Sequence, residues 1–162
     1  MSINHIVANW QNDPIFTFKA YMIFDNVSSE LIYNLSCDLN IRRKWDPVYY
    51  IVQDVEHIST DKKNENDITT ADIIYTCLHT PPTISKRDSC LLRLRKQITD
   101  PNTKRKTFIS FMKTVSHPKC PLKKEFVRAK TNFHGYIIEQ LDNNQCKLFV
   151  MSQHGTCKLC LI

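Results

Sequence analysis

Apolar positions along the chain change their period twice, and those changes divide it into elements. Residues 1–15 are mostly polar and end at the breaker Asp13-Pro14. Phe16 to Phe24 (FTFKAYMIF) is aromatic and apolar with imperfect alternation, which predicts a strand. Ser28-Ser29-Glu30 then opens a helix that Ser28 or Asn26 can cap. Leu31, Leu35 and Leu39 recur at every fourth position as its buried stripe. Asn40 to Pro47 (NIRRKWDP) reads as a second short helical turn stopped by its proline.

From Tyr49 onward the texture is that of strands: Tyr49 to Ile58, Ile68 to Leu78, Ser89 to Ile98, Thr107 to Val115, Phe126 to Gln140 with a bend at Gly135, and Cys146 to Gln153. A charged loop, Ser59 to Asp67, and two proline loops, Thr80 to Lys86 and His117 to Lys124, separate them, together with polar turns at 99–106 and 142–144. Hairpin-like spacing around one early helical insert predicts an α+β fold. It would be a curved antiparallel sheet of about six strands with two short helices inserted early. Neither a repeat nor a linker interrupts residues 1–162, which read as one domain.

Composition narrows the chemistry. The chain has 162 residues, 42% of them hydrophobic, enough for one core or cavity. A net charge of +6 favours anionic partners, either acidic lipid headgroups or nucleic acid. Only two glycines, Gly135 and Gly155, are present, which excludes a glycine-rich phosphate loop and a dinucleotide fingerprint. Seven scattered cysteines and an N-terminus without signal-peptide character predict reduced thiols and a cytoplasmic setting. No apolar run approaches the ~18 residues of a membrane span. Cys157-Lys-Leu-Cys160 is out of register for prenylation and, without a second ligand cluster, a weak metal signal. No metal or cofactor is expected.

Six histidines and scattered carboxylates form no HExxH, no GxSxG and no recognised Cys/His pair, so an enzyme is not expected. Lys62-Lys63, Lys104-Arg105-Lys106 and Lys123-Lys124 fall in turns without interleaved aromatics. They read as solvated tips rather than a nucleic-acid groove. Three features are left. Arg42 and Asp46 stand at i and i+4 across Trp45, on one helical face. Arg93 shares a strand face with Ser89 and Leu91, and Arg87-Asp88 heads the same strand. Each reads either as an ordinary ion pair or as a site residue.

The order and spacing of the landmarks resemble the START family of lipid-transfer-related, helix-grip domains. The landmarks are Phe18-Lys19-Ala20, the helix 28–38, Arg42…Trp45-Asp46, Asp72-Ile73-Ile74-Tyr75, Ser85-Lys86-Arg87-Asp88, His117-Pro118…Pro121, Val127-Arg128-Ala129 and Gly135-Tyr136-Ile137-Ile138-Glu139. The motifs are most similar to the phosphatidylcholine-transfer and ceramide-transfer types. The resemblance implies a non-enzymatic protein that encloses one lipid between its sheet and a long C-terminal helix and carries it between membranes. By position, Arg42 and Asp46 match the pair that reaches the lipid phosphate, and Arg93 matches a cavity-facing arginine. Thr76, Leu91, Phe108, Ser110, Met112 and Tyr136 are candidates for the cavity lining, and Thr80–Lys86, with Pro81, Pro82 and Ile84, for the gate loop.

Departures from the family pattern shape the ligand. Thr76, Met112 and Val150 replace the side chains that hold ceramide hydroxyls, and Thr76, Ser89 and Leu91 replace the aromatics of a choline cage. The implied partners are therefore a phospholipid of undefined headgroup, with a sterol as alternative, and a transient anionic membrane surface, with no nucleic acid. The resemblance covers about residues 16–155 and lacks the opening helix, the first strand and the closing C-terminal helix. Without that lid the inner sheet face would expose a large apolar patch. The alternatives are a truncated product, a lidless interaction module without lipid, or exchange of elements with a second copy.

Overall fold

The computed structural model describes residues 2–9, 17–64 and 66–154. In chain order the elements are β1 (Ser2–Asn9), β2 (Thr17–Asp25), α1 (Ser29–Cys37), α2 (Leu39–Trp45), β3 (Tyr49–Asn64), β4 (Asp67–Leu78), β5 (Arg87–Thr99), β6 (Lys106–Thr114), β7 (Val127–Arg128), β8 (Thr131–Gln140) and β9 (Gln145–His154). They form one nine-stranded sheet ordered β1-β2-β9-β8-β6-β5-β4-β3, with β7 beside β5. All pairings are antiparallel except β5 with β7. The α+β class and the two early helices match the sequence reading. The sheet is larger than the six or so strands expected. No helix among the described residues is long and apolar enough to cross a membrane. Cys157, Cys160 and the position of a closing helix lie outside the described residues.

Four departures have physical causes. Residues 2–9 form β1 on the free edge of β2, although the resemblance had this chain lacking a first strand. A register shift between Ile3 and Ile6 breaks the period-two pattern that would have revealed it. The charged stretch expected as a loop from Ser59 continues β3 to Asn64, because β4 accepts its backbone bonds from Ser59↔Ala71 to Asn64↔Asp67. An edge strand with exposed side chains can carry such charges. The run Phe126–Gln140 divides into β7, which turns parallel to β5, and β8. β8 passes straight through Gly135, where a Cβ would stand 3.0 Å from the Ser110 carbonyl oxygen on β6. The glycine permits close strand approach rather than a bend.

The helix stripe is the fourth. Ser28 caps α1, its hydroxyl accepting the Leu31 N–H at 3.1 Å. Asp38 separates the helices and caps α2, accepting the Asn40 and Ile41 N–H groups at 2.8 and 3.0 Å. The buried positions are Ser29, Ile32 and Cys37, whereas Leu31 is half exposed. Tyr33 stacks on Phe108 of β6 at 4.6 Å, which turns α1 onto its 29/32/33/37 side rather than the leucine side.

The core is split between the sheet's two faces. On the inner face α1 covers Phe108, Tyr136, Ile138, Cys146 and Leu148. On the outer face the segment leading into β7 covers Ile73, Tyr75, Cys77 and Cys90, with Cys120 as its inward plug. The inner face, expected to be bare without a lid, is thus partly covered by α1. What is left open is a cavity between α2, the β3–β6 region and β8.

Candidate functional site

That cavity measures about 350 Å³ and opens to solvent. Arg42, Asp46, Val48, Tyr49, Thr76, Leu78, Ser89, Leu91, Met112, Ala129, Thr131, His134 and His154 line it. A narrow recess behind it shares Arg42, Tyr49, Thr76, Leu91 and Met112 and reaches Arg93. Alternation builds this wall: Thr76, Leu91 and Met112 point inward from β4, β5 and β6 while Tyr75, Cys90 and Leu92 pack on the other face.

Arg42 is the polar centre of the wall. Its Nε donates to Asp46 Oδ2 at 2.8 Å, and Nη2 lies 2.8 Å from the same oxygen. Nη1 donates to the Tyr136 hydroxyl at 3.1 Å and to the Ser36 carbonyl at 3.3 Å. The guanidinium also lies 4.9 and 5.1 Å from the ring centres of Trp45 and Tyr49. Asp46 Oδ1 accepts the Val48 N–H at 3.1 Å, so the carboxylate holds both the arginine and the turn after α2. Burial alone would lower the Arg42 pKa. Tyr136, Tyr49 and Asp46 outweigh it and raise the value, so the group stays charged.

The chain of contacts continues through Tyr136, whose hydroxyl lies 2.7 Å from His134 Nε2. Burial, with His154 and Arg42 nearby, pushes the His134 imidazole down to about 4, so it is neutral at pH 7. The Tyr136 oxygen accepts from Arg42, which directs its proton toward that neutral ring. Burial likewise pushes the Tyr49 and Tyr136 phenols up. One cation, one carboxylate, neutral hydroxyls and the imidazoles of His134 and His154 therefore meet beside the apolar side chains Val48, Leu78, Leu91 and Met112.

Arg93 differs in kind. It is 3% exposed and joined to Asp72 by two bonds, Nε to Oδ1 at 2.7 Å and Nη2 to Oδ2 at 2.8 Å. Nη2 also meets Asp54 Oδ1 at 3.3 Å, and Nη1 donates to the Cys37 carbonyl at 2.9 Å. Arg95 adds a further bond to Asp72 Oδ2 at 2.7 Å. Burial works to lower the Arg93 pKa, but Asp72 and then Asp54 raise it further. Arg93 ties the C-terminus of α1 to β4 and β5 and satisfies an otherwise orphaned helix carbonyl.

The structure thus brings Arg42, Asp46, Thr76, Leu91 and Met112 together at one cavity, with the Tyr136 hydroxyl bonded to Arg42. It does not bring Phe108 or Ser110 there. Both are 2% exposed, and Phe108 is stacked beneath α1. The other sequence pair also resolves differently. Asp88 faces outward in the sheet and takes two bonds from Arg128, at 2.8 and 3.0 Å, and one from Tyr75 at 2.9 Å, not one from Arg87. Pro81, Pro82 and Ile84 lie on a separate cleft of about 590 Å³ bounded by Tyr50, Lys86, Lys124, Phe126 and Val127, and Leu78 is common to cleft and cavity. Sequence reading missed Tyr49, His134 and Asp72. Only Asp72 left a signal, a lone carboxylate inside an apolar strand beside the Arg93 strand.

The START domain family model matches residues 2–154, and the chain belongs to that family of lipid-binding and lipid-transfer domains. START domain-containing protein 10 of Mus musculus is 25% identical over 135 residues, which are 83% of this chain and 41% of that protein. Acetyl-coenzyme A thioesterase of Mus musculus is 26% identical over 127 residues, 77% of this chain but 20% of that protein. The chain therefore spans less than half of either, and the second match is a likeness to one part of a larger enzyme. Among solved structures, human STARD10 superposes with a TM-score of 0.70 at 21% identity, covering 94% of this chain and 62% of that one. Human StAR-related lipid transfer protein 5 gives 0.69 at 19% identity, with 94% and 74% covered. At these identities the superpositions speak to the fold, a curved antiparallel sheet with two helices.

Proposed function

We propose that this chain binds one lipid in the inner cavity and moves it between membranes, with a phospholipid as cargo. The observation that carries this reading is Arg42, desolvated between Trp45 and Tyr49, held by Asp46, and set in a cavity wall of Leu78, Leu91 and Met112. A guanidinium kept charged in such surroundings offers a forked donor to a phosphate. About 350 Å³ is near the lower end for ligand sites. The acyl chains of a two-chain lipid would therefore run toward Leu78 and the loop at Pro81–Ile84, which acts as the gate. Arg93, already saturated by Asp72, Asp54 and Cys37, acts as scaffold in this reading rather than as headgroup ligand.

Native mass spectrometry of the purified chain, followed by lipid extraction, tests the proposal. A co-purified phospholipid that disappears in a folded Arg42→Leu variant is the expected result. A lipid retained at wild-type level in that variant would remove Arg42 from the site. One observation favours an interaction module instead. Leu94, Phe111 and Ile137 are exposed together on the outer face of the sheet. A chain that copurifies with protein and never with lipid would make that the function.

A further inference from the structure

Leu122 is 78% exposed, far more than any other large apolar side chain among the described residues. Its neighbours give no freedom to fold it away. Cys120 is buried against the outer core, and the Arg128 guanidinium donates to the carbonyls of both Cys120 and Pro121, at 3.2 and 3.1 Å. Arg128 is itself fixed by the paired bonds to buried Asp88. Lys123 lies over the Tyr75 ring at 4.9 Å, and the Phe126 N–H closes a turn on the Lys123 carbonyl at 3.2 Å. The result is a pinned loop whose apex presents one leucine between a proline and two lysines.

Cations outnumber carboxylates around the apex. Lys86 and Lys124 border the 590 Å³ cleft beside the apex and form no ion pair among the described residues, and Lys123 adds a third cation next to them. Among the described residues, Glu125 is the sole carboxylate on the cleft wall. Lys119 is neutralised by Glu56 at 2.8 Å and does not count. Across the same cleft stand the exposed Pro81 and Pro82. An exposed leucine flanked by lysines suits an interface where apolar and anionic groups lie a few ångströms apart, which is the headgroup boundary of an anionic bilayer.

We propose that the 117–126 loop is a membrane-inserting tip, with Leu122 entering the acyl boundary of an anionic leaflet and Lys86, Lys123 and Lys124 resting at the lipid phosphates. The tip deepens the lipid-transfer reading and rests on it in one respect: through Leu78, the docked cleft adjoins the cargo cavity.

Vesicle flotation with phosphatidylcholine alone and with added phosphatidylserine tests the tip. Wild type is expected to float with the anionic vesicles and to lose binding as salt rises. Leu122→Ser should lower partitioning about tenfold, and Lys123→Gln/Lys124→Gln about tenfold on anionic vesicles with no change on neutral ones. Leu122→Trp should gain quenching by brominated acyl chains beyond the wild-type level. A Leu122→Ser chain that floats like wild type, or a wild type that ignores anionic vesicles, overturns the proposal. The outcomes separate from those of the cargo site. A chain that floats through Leu122 yet holds no lipid by mass spectrometry keeps the tip and loses the cargo reading. A chain that holds lipid but floats without need of Leu122 does the reverse.

Discussion

Arg42 and Arg93 make an instructive pair. Both lie on the inner side of the sheet, both donate to a carbonyl in the last turn of α1, and both are paired with aspartate. Arg93 spends its donors on Asp72, Asp54 and Cys37, and its side chain is 4% exposed. Arg42 has a single carboxylate partner, two aromatic rings and a phenol, and it faces a cavity at 17% exposure. A buried arginine with every direction answered by protein is a tie between elements. One answered partly by aromatic faces, beside open space, can still take a ligand. Residue type and strand alternation give the same reading for both, and the partners decide between them.

The largest test is Asp72→Asn, which leaves Arg93 and Arg95 short of charge in a buried setting. It should cost about 3–5 kcal/mol, measured by chemical denaturation. A loss below about 1 kcal/mol would break the contrast, because Arg93 would then not be a structural tie.

Between pH 6.5 and 4, acid should act chiefly on the Arg42 side, through His134. The unfolded His134 takes a proton near pH 6.5, the folded one only near 4. Between those values the unfolded state holds more protons, so stability falls as pH drops through the window, by about 3 kcal/mol in all. His134→Phe should make the profile of stability against pH shallower, leaving the part that His154 contributes, whereas Asp72→Asn should leave its shape between pH 4 and 6.5 intact. A wild-type profile already flat there would place the imidazole outside the buried relay.

Arg42→Leu comes next, with a stability loss of about 1–2 kcal/mol in a thermal or denaturant melt, well below that of the Asp72 change. An equal loss would mean the two arginines do one job. The smallest effect belongs to Ser28→Ala, about 1 kcal/mol from the lost cap. Because Ser28 closes the end of α1 away from both arginines, its effect should add to that of Arg42→Leu; strong coupling would show that the helix moves as one lever.

Much of the fold was legible because it follows from period and punctuation. Alternation located β4, β5, β6 and β9, the Ser28 cap and Pro47 bracketed the helices, and Arg42 with Asp46 was readable because i,i+4 spacing is local. Elements whose pattern depends on a partner were not. β1 needed the free edge of β2, and the charged half of β3 needed β4. The rotation of α1 needed Phe108, a residue far along the chain. The same holds for the site. Tyr49 and His134 gain their meaning from Arg42 and Tyr136, which stand on other elements.

By itself, then, the amino-acid sequence determined the class of fold, the positions of most strands, the early helical insert, and one arginine–aspartate pair on a helix face. These rest on contacts between residues a few positions apart. Only the tertiary structure decided which arginine is bound on all sides by carboxylates and a helix carbonyl, which aspartate Arg128 holds, and which leucine is left in solvent. Those outcomes depend on who the neighbours are across the sheet, and burial, charge pairing and exposure are properties of neighbours rather than of residues.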